Sequence, residues 1–312
     1  MPKRIERKSM ANRKGQKNKG GIRHGYEGPR AKKSLGQNFL VDEQIIEEIL
    51  DGALIDSDDL VIEIGPGRGA LTAGAAKRCR RLVAVELDED MVPFLDRVLA
   101  GHDNATVLHD DFLKVDLAAL IAGEKEKDKN LAGVKIIGNI PYYITTPILM
   151  KVLGDKSLPT VDSLTVMMQK EVADRLAASP GEKAYGELTV VVQYYCDVYP
   201  VADVPRTCFR PVPNVDSRVL RLAFRKEQRI KPADDQVFFT CVKAAFSKRR
   251  KTLLNCFTGL FGMDKEQIKE EFAACGMDGT RRGETLTIEE FALLGDHFAK
   301  LPRGGGGETP ES

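Results

Sequence analysis

The stretch Leu60-Val61-Ile62-Glu63-Ile64-Gly65-Pro66-Gly67-Arg68-Gly69-Ala70 decides the fold. A short aliphatic run of this kind reads as a buried strand, and the glycines behind it let the chain turn sharply into a helix. Outward from it the same alternation repeats. Apolar runs lie at Leu82–Glu86, Ala105–His109, Val134–Gly138 and Leu164–Met168. Helical spacing lies between them, at 68–78, 89–100, 144–153 and 170–178. This predicts an α/β fold, a parallel sheet with helices on both faces. Upstream, Asp42 can cap a helix carrying Ile45, Ile46, Ile49, Leu50 and Ala53. Residues 123–130 (GEKEKDKN) read as a solvated loop insertion, and 196–224 as two strands around a Pro-rich loop. Beyond about 232 the pattern is helical, at 234–247, 250–260, 264–275 and 287–300. Those segments predict a second, smaller all-α domain, and no internal repeat is present.

Composition excludes several classes. The chain of 312 residues is long enough to bury a sizeable core. No apolar run reaches the ~18 residues of a membrane span, so no membrane partner is expected. No apolar stretch follows the basic N-terminus, so a secretory signal is not expected. The six cysteines are scattered without a C-x-x-C, which argues against disulfides and zinc and for a reducing cytoplasm. The four histidines have no metal or catalytic spacing, so no metal site is expected.

A net charge of +1 conceals a strong asymmetry. Residues 1–33 hold twelve Lys and Arg against Glu6 and Glu27, about +10, and the remainder is about −9. Residues 1–30 therefore read as a disordered basic arm, either a tether for nucleic-acid phosphates or a solubility or targeting tail. Residues 31–230 form the expected sheet domain, 231–302 the helical domain, and the Gly-rich 303–312 a flexible tail.

The glycine loop follows a strand and opens a helix, so it offers backbone N–H groups and close approach to a ligand. Gly65-x-Gly67-x-x-Ala70 fits a dinucleotide fingerprint, which alone does not separate NAD from S-adenosylmethionine (SAM). Glu86 ends the second strand, where a carboxylate can accept both ribose hydroxyls. Asp110-Asp111 ends the third, in reach of an adenine amine.

Asn139-Ile140-Pro141-Tyr142 follows the fourth strand and narrows the chemistry. An amine on an aromatic ring is a weak nucleophile, because its lone pair is delocalised. An enzyme that methylates it should hold both hydrogens with acceptors. The Asn139 side-chain oxygen and the Ile140 carbonyl can do so, with Pro141 fixing the turn. Tyr142 offers a ring for an extruded base. Phe209, opening Phe209-Arg210-Pro211-Val212-Pro213-Asn214-Val215-Asp216-Ser217, could close the other face or anchor the loop in the core.

At these residues the chain resembles the ribosomal RNA adenine dimethyltransferases, of the small-subunit type. The matching strings are Leu35–Leu40, Val61–Gly67, Asn139–Tyr142, Met168–Ala173, Tyr185–Val190, the loop from Phe209 to Ser217, and Phe246–Leu253. They fall across roughly residues 31–300. The resemblance implies a Rossmann-like, SAM-dependent methyltransferase sheet with the all-α domain behind it. It implies that Asn38, Leu40, Gly65, Gly67, Glu86, Asp111 and Asn139 hold SAM. It implies dimethylation of two adjacent adenosines in the 3′-terminal hairpin of small-subunit rRNA, within an assembling subunit, by a monomer. The basic cluster Lys248-Arg249-Arg250-Lys251, between two helical stretches, reads either as a phosphate contact or as a solvated helix start. The arm, the 123–130 segment and the Gly-rich tail depart from the family pattern.

Three other readings remain. A large-subunit rRNA adenine methyltransferase of the antibiotic-resistance type would share the site, but the helical segment beyond 232 and the loop strings favour the small-subunit type. A non-catalytic module that monitors subunit maturation is opposed by intact Asn139 and Tyr142. A DNA adenine methyltransferase would need a base-reading segment that is not seen.

Overall fold

A computed structural model describes residues 28–154 and 160–301. The basic arm up to residue 27 and the tail lie outside the described residues.

The chain runs β1 (Phe39–Leu40), α1 (Glu43–Gly52), β2 (Leu60–Ile64), α2 (Thr72–Ala76), β3 (Arg81–Glu86), α3 (Val92–Val98), β4 (Ala105–His109), α4 (Leu117–Lys127) and β5 (Val134–Asn139). It continues with α5 (Thr145–Gly154), β6 (Ser163–Gln169), α6 (Lys170–Leu176), α7 (Glu187–Tyr195), β7 (Cys196–Val204), β8 (Phe209–Arg210) and β9 (Ser217–Phe224). Four helices follow: α8 (Asp235–Phe246), α9 (Leu253–Phe257), α10 (Lys265–Ala274) and α11 (Ile288–Ala299).

Seven strands form one sheet in the order β4-β3-β2-β5-β6-β9-β7. The first five are mutually parallel, and β9 runs antiparallel to both β6 and β7. After β2 the chain builds outward through β3 and β4, then returns to place β5 on the other side of β2. That reversal opens a crevice at the carboxyl ends of β2 and β5, where open α/β sheets take their ligands. The expected α/β sheet is therefore present, and its switch point falls between the glycine loop and Asn139.

Burial follows the strand period on both faces. Leu60, Ile62 and Ile64 pack into one hydrophobic layer and Val61 into the opposite one. A strand buried on both sides reads as a continuous apolar run, which is why these strands stand out in the sequence. Asp42 caps α1 as expected, its Oδ1 accepting from the Ile45 N–H at 3.2 Å.

The structure corrects several expected elements. Residues 123–127 are the last turns of α4, not a loop insertion. Their charges alternate at helical spacing: Lys127 reaches Glu124 at 2.7 Å, and Arg81 anchors the same carboxylate at 2.5 Å. A sequence that looks solvated is thus a helix pinned to β3. The helix expected at 68–78 shortens to Thr72–Ala76, and that at 250–260 to Leu253–Phe257. Helix α7 occupies a stretch for which no element is expected. Its Val190 and Tyr194 pack with α8 and α11 while Val192 packs on the sheet, so it joins the two hydrophobic cores.

Candidate active site

The crevice holds a cleft that opens to solvent at its mouth. Asn38, Leu40, Gly65, Gly67, Glu86, Asp111, Asn139, Ile140, Pro141, Tyr142 and Phe209 all line it. The structure therefore gathers every expected site residue in one place.

The glycine loop is built for close approach. Gly67 has φ +55°, a left-handed conformation that disfavours a side chain. A Cβ there would also lie 3.1 Å from the Phe39 ring. Gly138 pairs with Ile64, and a Cβ on it would sit 2.9 Å from the Ile64 carbonyl. The bare backbone brings Asn139 against the loop that follows β2.

Glu86 is 4% exposed and does two jobs in the turn after β3. Its Oε2 accepts from the Gly67 N–H at 2.9 Å and its Oε1 from the Asp88 N–H at 2.8 Å. It ties the second strand end to the glycine loop. Burial raises its pKa, against those two N–H groups. Asp111 caps the turn after β4, with Oδ1 accepting from the Leu113 N–H at 3.0 Å.

The target side hangs on Asn139. Its Nδ2 donates to the Asn38 carbonyl at 3.1 Å. A carbonyl can only accept, so this contact fixes which end of the amide is nitrogen. The Asn139 Oδ1 is thereby kept as an acceptor. One residue beyond Ile140, the Pro141 carbonyl is engaged by the Ile144 N–H at 3.1 Å. The Tyr142 hydroxyl shares a 2.8 Å hydrogen bond with Ser217 Oγ, which fastens the ring to β9. Burial raises the Tyr142 pKa, so the phenol stays neutral.

Phe209 is 1% exposed and packs with Leu40, Ile49 and Val219. It pairs with Leu40 across the small β1–β8 ribbon, so its ring edge borders the cleft from within the core. Buried in that core, it anchors the loop.

The cleft fits a cationic nucleoside cofactor. Its charged lining is acidic, with Glu86, Asp110 and Asp111. The exception, Arg68, turns its guanidinium to the Pro29 carbonyl at 2.7 Å. Glu63 Oε2 is buried with no hydrogen-bond partner among the described residues. Burial pushes the Glu63 pKa up to about 8, opposed by the nearby Thr72 hydroxyl and helped by the Glu86 carboxylate. A sulfonium suits such a wall; a dinucleotide pyrophosphate does not.

A family model for the ribosomal RNA adenine dimethylases matches residues 28–296. The chain belongs to this family. It is similar to ribosomal RNA small subunit methyltransferase A of Alkaliphilus metalliredigens, 50% identical over 266 residues, covering 85% of this chain and 91% of that protein. The same-named protein of Geobacillus thermodenitrificans is 49% identical over 275 residues, covering 87% and 92%. Among solved structures, a Plasmodium falciparum dimethyladenosine transferase superposes with TM-score 0.69 at 25% identity, covering 82% of this chain and 95% of that one. The 23S rRNA methyltransferase ErmE superposes with TM-score 0.65 at 26% identity, covering 84% and 100%.

This adenine dimethylase is a SAM-dependent enzyme on a Rossmann-like sheet. Several residues that shape its cleft are not marked as site residues by the sequence: Ser217, Glu63, Asp88 and Arg68. Only Glu63 and Arg68 fall inside the glycine-loop motif. Ser217 ends the Pro-rich loop, and nothing local to it signals the bond to Tyr142.

Proposed function

We propose that the Asn139 Oδ1 and the Ile140 carbonyl together hold the N6 amine of an adenosine drawn into this cleft. The observation that carries the reading is the Asn38 carbonyl on Asn139 Nδ2, which leaves the amide oxygen for the substrate. Two acceptors on the two hydrogens draw the lone pair out of conjugation with the ring. When bound, SAM supplies an electrophilic methyl on its sulfonium. Glu86 accepts the ribose hydroxyls, and Asp111 the adenine amine of that cofactor. Gly65 and Gly67 provide backbone against its carboxylate end, and Asn38 and Leu40 close the near side. Tyr142, held by Ser217, stacks on the inserted base. The N6–methyl bond would form as the sulfonium's S–methyl bond breaks to leave a neutral thioether, and the N6 proton would pass to solvent; no strong base is required, because alignment and charge complementarity carry the transfer. After one transfer a single N6 hydrogen remains, and a single acceptor then suffices for the second.

The substrate in this reading is the pair of adjacent adenosines in the 3′-terminal hairpin of small-subunit rRNA, met in an assembling subunit. The relatives near 50% identity bear the small-subunit name. The enzyme acts as a monomer in the cytoplasm; among the described residues no helix is long and apolar enough to cross a membrane. The test is incubation with methyl-labelled SAM and undermodified small or large subunits, followed by mapping of the modified base. Dimethyladenosine in the small-subunit hairpin supports the reading. Label in large-subunit rRNA alone overturns it.

A further inference from the structure

Residues 28–38 lie across the cofactor side of the cleft, and their fastening follows a pattern of its own. Asp88 sits two residues beyond Glu86, with a side chain that is 0% exposed. Both carboxylate oxygens are taken by this segment. Lys32 Nζ lies 2.5 Å from Oδ1, and Gln37 Nε2 donates to Oδ2 at 2.8 Å. Gln37 closes the loop on itself, its Oε1 accepting from the Lys32 N–H at 2.8 Å. Asp90 adds a second, exposed partner for Lys32 at 2.6 Å. Further along, Arg68 of the glycine loop grips the Pro29 and Gly28 carbonyls and lies over the Phe39 ring, 4.5 Å from its centroid.

We infer that Asp88 is a positioning residue: a buried carboxylate that latches residues 28–38 and thereby sets both the ribose acceptor Glu86 and the target-holding Asn139. Two short routes lead from it. Through its own N–H, 2.8 Å from Glu86 Oε1, Asp88 orients the carboxylate read as the ribose acceptor. Through Lys32 and Gln37 it fixes the segment whose Asn38 carbonyl orients the Asn139 amide. Removing a charge from water is costly unless the charge is paired. Here burial disfavours the Asp88 carboxylate, and the Lys32 and Gln37 contacts outweigh it and hold the pKa below its usual range. If the strap lifts, that carboxylate keeps only the Asp90 N–H, at 3.1 Å, and water in place of Lys32 and Gln37. A latch that reaches two subsites should affect cofactor affinity and transfer rate together.

The inference rests on the roles proposed for Glu86 and Asn139, so N139A serves as the reference. The enzyme is compared with D88N, K32M and K32R by SAM calorimetry and by single-turnover methylation of undermodified small subunits at saturating SAM. Lys32 is 39% exposed, so K32M leaves the fold intact even if D88N does not. The expected result for K32M is a SAM dissociation constant raised about tenfold and a saturating rate lowered about tenfold, with K32R within threefold of wild type. Trypsin should also cut K32M at Lys33 faster than wild type, with unchanged thermal stability of the body. A K32M enzyme with wild-type affinity and wild-type rate, while N139A is inactive, overturns the latch. An N139A enzyme that methylates at the wild-type rate overturns the site assignment instead.

Discussion

The two walls of the cleft are made differently. The cofactor wall consists of strand ends: Gly65 after β2, Glu86 closing β3 and Asp111 after β4. Their positions follow from the parallel sheet, since every strand delivers its last residue to the same edge. The target wall is assembled from distant pieces. Asn139 ends β5, but its amide is set by Asn38, 101 residues away. Tyr142 is fastened by Ser217, 75 residues away. A sheet edge tolerates removal of one interaction because the neighbouring strands hold the geometry. A wall assembled from remote pieces has no such redundancy, so single substitutions there should affect chemistry more than binding.

The largest effect should come from the target wall. Replacing Asn139 with Ala removes a preorganised acceptor and leaves the cofactor wall intact. Removing one such polar group costs roughly 3–4 kcal/mol in a known enzyme. We expect single-turnover methylation to fall 10²- to 10³-fold while SAM affinity stays within about tenfold. Equal decreases in rate and affinity would erase the distinction between the walls.

Next in size is Glu86→Ala on the cofactor wall. Hydrogen bonds to a charged group contribute about 1.5–3 kcal/mol. SAM binding should weaken by about 2–3 kcal/mol in calorimetry, with the rate at saturating SAM much less affected than in the Asn139 variant. Unchanged affinity would remove Glu86 from the site.

Legibility in the sequence divides along the same line. Gly65, Gly67, Glu86, Asp111 and Asn139 can be read because local apolar periodicity locates the strand ends. The Lys32–Asp88 pair spans 56 residues and leaves no local signal. Helix α7 is unreadable for a different reason. Its Thr189-Val190-Val191-Val192 run favours a strand by intrinsic preference, yet burial against both cores makes it a helix. The 123–127 segment misleads because its charges look solvated, yet Glu124 is buried and paired with Arg81 on β3. Phe209 allows two readings, and only the pairing of β1 with β8 places it in the core.

A third test probes the floor between the walls. Burial pushes the Glu63 pKa up to about 8 in the folded chain, above the ~4.3 of an unfolded chain. Between these values the folded state binds a proton that the unfolded state does not. Stability from this group is therefore full below about pH 4 and is lost as pH rises through 8. Denaturant unfolding of the SAM-free enzyme should lose stability, on the order of a few kcal/mol, as pH rises from 5.5 to 7.5. Glu63→Gln should flatten that part of the slope. Identical slopes would show that Glu63 is ionised in the folded chain.

The smallest effect at near-physiological salt should come from the basic arm. Residues 1–27 carry nine Lys and Arg against two acids, ahead of a body that is net acidic. Gly28 and Pro29 are gripped by Arg68, so the arm departs from the cleft's own rim. An acidic body meets rRNA phosphates more easily with basic groups near its mouth. If the arm neutralises phosphates, its deletion releases fewer counterions on binding. For single strands the slope of log affinity against log salt changes by about 0.7 for each phosphate no longer neutralised, so four such phosphates shift it by almost 3. The deletion should weaken small-subunit binding strongly at low salt and only a few-fold near physiological salt. SAM affinity should not move, because Gly28 to Leu40 remain. A tail that serves only solubility gives superimposable binding curves at every salt concentration. That outcome would leave the exposed Lys248–Lys251 cluster and the body to carry the RNA.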